Sequence, residues 1–230
     1  MRKGTVMRFH NREHAAQLLA ARLAVYQGHT PLVCAIPRGA VPIGKIIAEA
    51  LGGELDVALV RTLEAPAHPD WAIGAVDDAG HMYLSGFVQE LELSAAYILT
   101  EKATQLDALH KQRTLYTAVH PPIDPNGRIV IVVDDAIATG VSMIAALRAI
   151  RAQHPAKLIA AMTVVAPVLL EQIVHEADET VYLAAPDFFS GVEQFFEELS
   201  PVLEEEVVTI LQQSRCTPEG GAASVAACSS

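Results

Sequence analysis

The chain has 230 residues, about half of them apolar and 19% charged, with a formal net charge of −11. That composition supports one sizeable packed domain and excludes a disordered chain. The acidic balance argues against non-specific nucleic-acid binding and requires any polyphosphate site to be built from local cations and Mg²⁺.

From the N-terminus, MRKGTVMRFHNREH carries charge but no apolar core of a secretory signal. Asn11 is a natural cap for a helix running to about Gln27, with an apolar stripe through Ala15, Leu18, Leu19, Leu23 and Val25, closed by Gly28. Pro31 to Ile36 reads as a short buried strand, with Cys34 a core thiol that nothing nearby would activate. It runs into Pro37, Arg38, Gly39 and Ala40 and then a helix to about Leu51. Gly39 permits an unusual backbone, the exposed N–H groups face outward and Arg38 supplies charge, so this is an anion-site candidate. Glu54 to Arg61 reads as the next strand. Thr62 to Trp71 is a loop, and two short strands follow, joined around Asp78, Ala79 and Gly80. His68 and His81 are either proton-transfer groups or ordinary loop histidines.

Ser94 caps a long helix to Tyr116, with an apolar face through Ala95, Ile98, Leu99, Leu106, Leu109 and Leu115. The proline-rich turn from His120 to Gly127 leads into Ile129 to Gly140, IVIVVDDAIATG. Its five consecutive β-branched residues predict a strand buried on both faces and ending at Val133. Asp134 and Asp135 follow, then a small-residue turn, Ala136, Ile137, Ala138, Thr139 and Gly140, and a helix from Val141 to about Gln153. A small loop at a helix start favours an anion, with Thr139 and Ser142 adding hydroxyl donors. The two aspartates would repel a phosphate, so they should face ribose hydroxyls or Mg²⁺. An ordinary α/β strand end carrying an acidic pair is the alternative. Lys157 to Val165 is a strand, Pro167 to Glu176 a helix, Thr180 to Ala184 a last strand and Pro201 to Gln213 a terminal helix. Residues 214–230 form a low-complexity tail expected to be disordered. The apolar run Leu158 to Leu170 is too short to span a bilayer and contains Thr163 and Pro167. Three cysteines without metal spacing favour a reducing cytoplasm.

The β/α alternation predicts an α/β fold with a mostly parallel central sheet and helices on both faces. Ligands in such sheets sit beyond the strand C-terminal ends, where Arg38, Arg61 and the Asp134 pair can converge.

IVIVVDDAIATG resembles the phosphoribosyl-pyrophosphate (PRPP) motif of type I phosphoribosyltransferases. The resemblance implies that Asp134 and Asp135 hold the ribose hydroxyls and, partly through substrate, Mg²⁺. It also implies that Ala136, Ile137, Ala138, Thr139, Gly140, Val141 and Ser142 wrap the 5′-phosphate. Pro37, Arg38, Gly39 and Ala40 look like the pyrophosphate loop, with Arg61 a second cation for the leaving group. Residues 61–88 occupy the place of the family's mobile catalytic loop, and 184–213 that of its hood. There Pro186 and Asp187 would read a base edge and Phe188 and Phe189 stack on it, unless these aromatics close the core instead. The stretch VRTLEAPAHPDWAIGAVDDAG is similar to a less-characterised bacterial branch in which a Lys follows the Arg; here that position is Thr62.

The resemblance covers about Phe9 to Gln213 and implies a single domain, 1–213. Its implied activity is transfer of 5-phosphoribosyl from PRPP to a nitrogen acceptor, with Mg²⁺ as cofactor. The site could alternatively serve a non-catalytic PRPP or nucleotide sensor, favoured by Thr62, or a phosphorylase or hydrolase. Related folds commonly dimerise, and the apolar N-terminal helix would suit an interface.

Overall fold

The computed structural model describes residues 8–66, 68–189 and 191–215. The side chain of His68 and the tail 216–230, including Cys216 and Cys228, lie outside the described residues.

The β-branched and small apolar runs pair into one five-stranded parallel sheet. Its order is β2 (Glu54–Val57), β1 (Leu32–Ala35), β6 (Ile129–Ile137), β7 (Lys157–Val165), β8 (Glu179–Ala184). The middle strands are covered on both faces, which is why they read as continuous apolar runs. On one face Val33, Ala35, Ile131, Val133, Ile159 and Ala161 pack with α1 (Arg12–Arg22), α2 (Val41–Leu51) and α6 (Glu204–Arg215). On the other, Cys34, Val130, Val132, Ala160 and Met162 pack with α4 (Val141–Arg151) and α5 (Pro167–Glu176). Alternation along each strand divides the sheet between these two cores. Burial pushes the Cys34 thiol well up, as suits a core cysteine.

A second sheet is antiparallel: β3 (Val60–Ala65), β4 (His68–Asp77) and β5 (Met82–Leu84). It packs against α4 and α3 (Ala95–Val119), and Ile73, Ala75 and Val76 are fully buried. The β4–β5 turn is pinned where Asp77 accepts the His81 N–H at 2.7 Å and Arg113 of α3 reaches Asp78. The segment expected as a loop with a hairpin is therefore a three-stranded sheet seated on two helices.

Three other boundaries and the buried face of one helix differ from expectation. The first helix stops at Arg22; a 3₁₀ turn, Ala24–Tyr26, then turns Tyr26 inward to Glu179 and Lys157 and leaves Val25 71% exposed. The strand expected over Glu54 to Arg61 is two strands in different sheets. Buried Asp56 accepts N–H bonds from Val57 (2.7 Å) and Ile123 (2.8 Å) at the break, and Val57, Ala58, Leu59 and Val60 are all buried, so the apolar run hides it. The central strand runs four residues past Val133 because β7 continues to pair with it as far as Ile137. Along α3, Leu109 and Tyr116 are buried while Leu99 and Leu115 are exposed.

The apolar face of α1 is spent internally: Ala15, Ala16 and Leu19 are fully buried, and the helix packs on α2, β7 and β8. Those residues are therefore already covered within the chain. Among the described residues no helix is long and apolar enough to cross a membrane.

Candidate active site

β1 and β6 are neighbours in register, with Ala35 opposite Val133 and the Ile36 N–H donating to the Val133 carbonyl at 2.9 Å. Parallel pairing brings the segments following both strands to the same edge of the sheet. Pro37–Ala40 and Asp134–Gly140 therefore lie side by side.

The contact between them is close. A Cβ built on Gly39 would stand 2.2 Å from Asp135 Oδ2, so the Asp135 carboxylate lies directly against the loop and a larger residue there must displace it. The Pro37–Arg38 peptide is cis, and the Arg38 carbonyl accepts the Val41 N–H at 3.1 Å as the loop turns into α2. The Arg38 side chain is exposed at this edge. Asp135 belongs to the same strand face as Val133, towards α1 and α2; Asp134 belongs with Val132, towards α4.

Each aspartate is held in place. The Asp135 N–H donates to Asp134 Oδ1 at 2.9 Å, and the Thr163 hydroxyl donates to the Asp135 carbonyl from fully buried Thr163 on β7. Burial above all, and then the neighbouring Asp135 carboxylate, push the Asp134 carboxyl well above the usual carboxylate range. A proton or a cation is thus favoured at this pair.

Beyond it, Ala138 and Thr139 are exposed, and Gly140 adopts a left-handed φ of 76° before α4 begins. Neither a side-chain cap nor an acidic residue occupies the first turn of α4. Its first N–H groups, with the half-buried Ser142 beside them, can receive an anion.

Arg61 does not join this group. It lies on β3 in the outer sheet, exposed, with Nε donating to Gln105 Oε1 of α3 at 2.7 Å. The break after Val57 removed it from the end of a central strand. Thr62 is on β3 as well, opposite Ala75. His81 faces Asp77 in the outer sheet, 3.0 Å between Nδ1 and Oδ2. Of the two C-terminal aromatics, Phe189 packs on Phe195 with ring centroids 5.4 Å apart, whereas Phe188 is 77% exposed.

One residue escaped the sequence reading. Arg12, in the first turn of α1, donates to Asp135 Oδ2 from Nη2 (3.2 Å) and Nε (3.4 Å). A cation at a helix N-terminus opposes the helix dipole, which is a signal that it has a partner elsewhere.

Asp134 and Asp135 offer hard oxygen donors of the kind Mg²⁺ takes. Among the described residues no group of three or more metal-ligating side chains forms.

The profile of the phosphoribosyl transferase domain matches residues 6–195. Over 221 residues, 95% of this chain, the sequence is 34% identical to a Mycobacterium tuberculosis protein provisionally named a phosphoribosyl transferase, found in strains CDC 1551 and H37Rv. The chain spans about half the length of these curated relatives (50%). The crystal structure of TT1426 from Thermus thermophilus superposes with a TM-score of 0.76 at 38% identity, covering 90% of this chain and 99% of that one.

Proposed function

This chain belongs to the phosphoribosyl transferase domain family, and from that premise we propose that it transfers 5-phosphoribosyl from PRPP to a nitrogen acceptor. The carrying observation is the contact of Asp135 with Gly39, which sets a carboxylate for ribose against a loop suited to pyrophosphate, beside the uncapped start of α4.

In this reading Ala136, Ile137, Ala138, Thr139, Gly140, Val141 and Ser142 cradle the 5′-phosphate through backbone N–H groups and two hydroxyls. Asp135 accepts from the ribose hydroxyls, with Asp134 behind it. Pro37, Arg38, Gly39 and Ala40 receive pyrophosphate, Arg38 supplying the protein's charge there. The bond from C1′ to the pyrophosphate oxygen breaks, and that oxygen keeps the electron pair. The acceptor nitrogen forms the new C1′–N bond and releases its proton to water. Positive charge develops on the ribose ring at the transition state, so catalysis is positioning and electrostatics. Asp134 and Asp135 are the residues that would hold Mg²⁺, and the chemistry it would supply when bound is neutralisation of leaving-group charge. Phe188 presents the free ring for an acceptor base, and backbone groups at Pro186 and Asp187 read its edge; Phe189 is committed to Phe195.

The test is calorimetry and thermal melting with PRPP, with and without Mg²⁺. Saturable, Mg²⁺-dependent binding is expected, with a stabilisation of about 2.7 kcal/mol at a ligand concentration 100 times Kd. A panel of nitrogenous bases then reads turnover by pyrophosphate release. No PRPP binding overturns the proposal, and binding without turnover on any base turns it towards the sensor reading. Release of free ribose 5-phosphate, or a requirement for inorganic phosphate, identifies a hydrolase or phosphorylase.

A further inference from the structure

Arg12 sits where a cation has no local reason to be, and its surroundings explain it. Its side chain is only 17% exposed, and all three guanidinium nitrogens are committed. Nε and Nη2 donate to Asp135 Oδ2, and Nη1 donates to the Ser200 carbonyl at 2.5 Å. The same guanidinium lies against the pyrophosphate-loop candidate, since a Cβ on Gly39 would stand 3.4 Å from Nη2.

The segment leading into Arg12 is itself pinned to the C-terminal region. The Phe9 N–H donates to the Phe195 carbonyl at 2.7 Å, and the Glu197 and Glu198 N–H groups donate to Phe9 and His10, each at 2.9 Å. Arg12 thus joins three parts of the chain that are remote in sequence: the first helix, the acidic pair and the segment that follows the last strand.

The consequence for Asp135 is specific. Both guanidinium donors go to Oδ2 and neither to Oδ1, while the neighbouring Asp134 carboxyl lies within side-chain hydrogen-bonding reach of the same carboxylate. A carboxylate free to rotate about its last torsion would present either oxygen and would shift away from its acidic neighbour. Holding one oxygen with a planar, always-charged fork fixes which one faces the ligand. The cation also offsets charge at two adjacent carboxylates in a chain whose net charge is already −11. A polyanionic substrate would otherwise meet that charge unrelieved.

From this arrangement we infer that Arg12 is a positioning residue for Asp135: it holds Oδ2, fixes the orientation in which the carboxylate meets the ribose and relieves the site's negative charge towards a phosphorylated ligand. The inference rests on the PRPP reading given above and adds a residue to it. Lysine would preserve the charge but not the fork, and glutamine would preserve bulk and a donor but not the charge.

The experiment is PRPP calorimetry with Mg²⁺ on the wild-type chain and on Arg12→Ala, Arg12→Gln, Arg12→Lys and His10→Ala, each with a thermal melt. Arg12→Ala and Arg12→Gln are expected to weaken PRPP binding by about 10–100-fold, the range seen when a group orienting a ligating side chain is removed. Arg12→Lys should recover part of the loss. His10→Ala breaks the exposed His10–Glu197 contact at the same N- to C-terminal seam without touching Asp135, and should bind PRPP as the wild type does. Wild-type affinity in Arg12→Ala overturns the inference. If that variant does not fold, wild-type affinity in Arg12→Gln overturns it instead. A loss in His10→Ala equal to that in the Arg12 variants also overturns it, because attachment of the seam alone would then account for the effect. Absence of PRPP binding in the wild-type chain removes the inference together with the proposed function, whereas wild-type binding with indifferent Arg12 variants removes the inference alone.

Discussion

The two sheets of this protein are built from similar apolar material and do different things with it. In the parallel sheet every strand ends at the same edge, so the segments after β1 and β6 meet, and the meeting point collects Arg12, Gly39, Asp134 and Asp135. In the antiparallel sheet successive strands end at opposite edges. Its polar groups accordingly pair off locally: Arg61 with Gln105, His81 with Asp77, Asp78 with Arg113. Topology, more than residue type, decides whether a charged side chain at a strand end reaches a common site.

The sharpest way to break that comparison is to remove the carboxylate on which the parallel edge converges. Asp135→Ala is expected to weaken PRPP binding by about a hundredfold or more, since both a charged acceptor and the partner of Arg12 are lost. The fold should persist, because Asp135 is outside both hydrophobic cores and its backbone carbonyl still accepts from Thr163. Calorimetry beside a thermal melt separates the two effects, and unchanged affinity would refute the assignment of this edge as the ligand site.

A matched pair of glycine substitutions sharpens it further. A Cβ at Gly39 would meet Asp135 Oδ2 at 2.2 Å, and a Cβ at Gly74 on β4 would meet the Tyr83 carbonyl at 2.2 Å. The distances are equal, but one clash is with a side-chain tip and the other with backbone. Gly74→Ala should lose about 1–3 kcal/mol of stability as backbone gives way, and Gly39→Ala less, because there the Asp135 carboxylate is what must move. Only Gly39→Ala should also weaken PRPP binding, by about tenfold or more, because the group displaced there is the carboxylate that meets substrate. Equal affinities for the two variants would show that the loop and Asp135 do not act together.

These contrasts also mark how far the sequence could be read. The β6 motif was legible because its chemistry is consecutive: a β-branched run, two acids, small residues, a helix start. The division of the sheet between two cores followed from the same runs. The break between β2 and β3 was not legible, because Val57 to Val60 is apolar throughout and only the buried Asp56 marks the turn. That single misreading carried Arg61 to the wrong edge. Arg12 was missed for a different reason: its partner lies 123 residues away, and local pattern carries no information about such a pair beyond a cation sitting against the helix dipole.

A smaller effect concerns Asp134. Burial and Asp135 raise its carboxyl in the folded state, so the protonated form is the one the fold prefers. Its favourable contribution is present at acid pH and is lost as pH rises through the folded value, because the unfolded chain gives up this proton more readily. Asp134→Asn keeps a side-chain oxygen for the Asp135 N–H and removes the charge. At neutral pH its Tm should rise by about 2–4 °C, and the gain should vanish under acid conditions. Some loss of stability with rising pH should remain, because burial also raises the Asp56 carboxyl. A Tm difference independent of pH would show that the raised proton affinity of Asp134 is not its source.

The smallest expected effect is the most discriminating for the outer sheet. Arg61→Ala removes an exposed hydrogen bond to Gln105 and should change stability by no more than about 0.5 kcal/mol, as for other surface positions. PRPP affinity should stay within about twofold, since a hydrogen bond to pyrophosphate from this residue would be worth more than that. The geometry is the reason: Arg61 sits on β3 of the outer sheet and is held by Gln105 of α3, whereas Pro37–Ala40 follows β1 of the parallel sheet. A tenfold loss in Arg61→Ala would mean that β3 swings towards the parallel edge when substrate binds. The separation of the two sheets would then describe only the ligand-free chain.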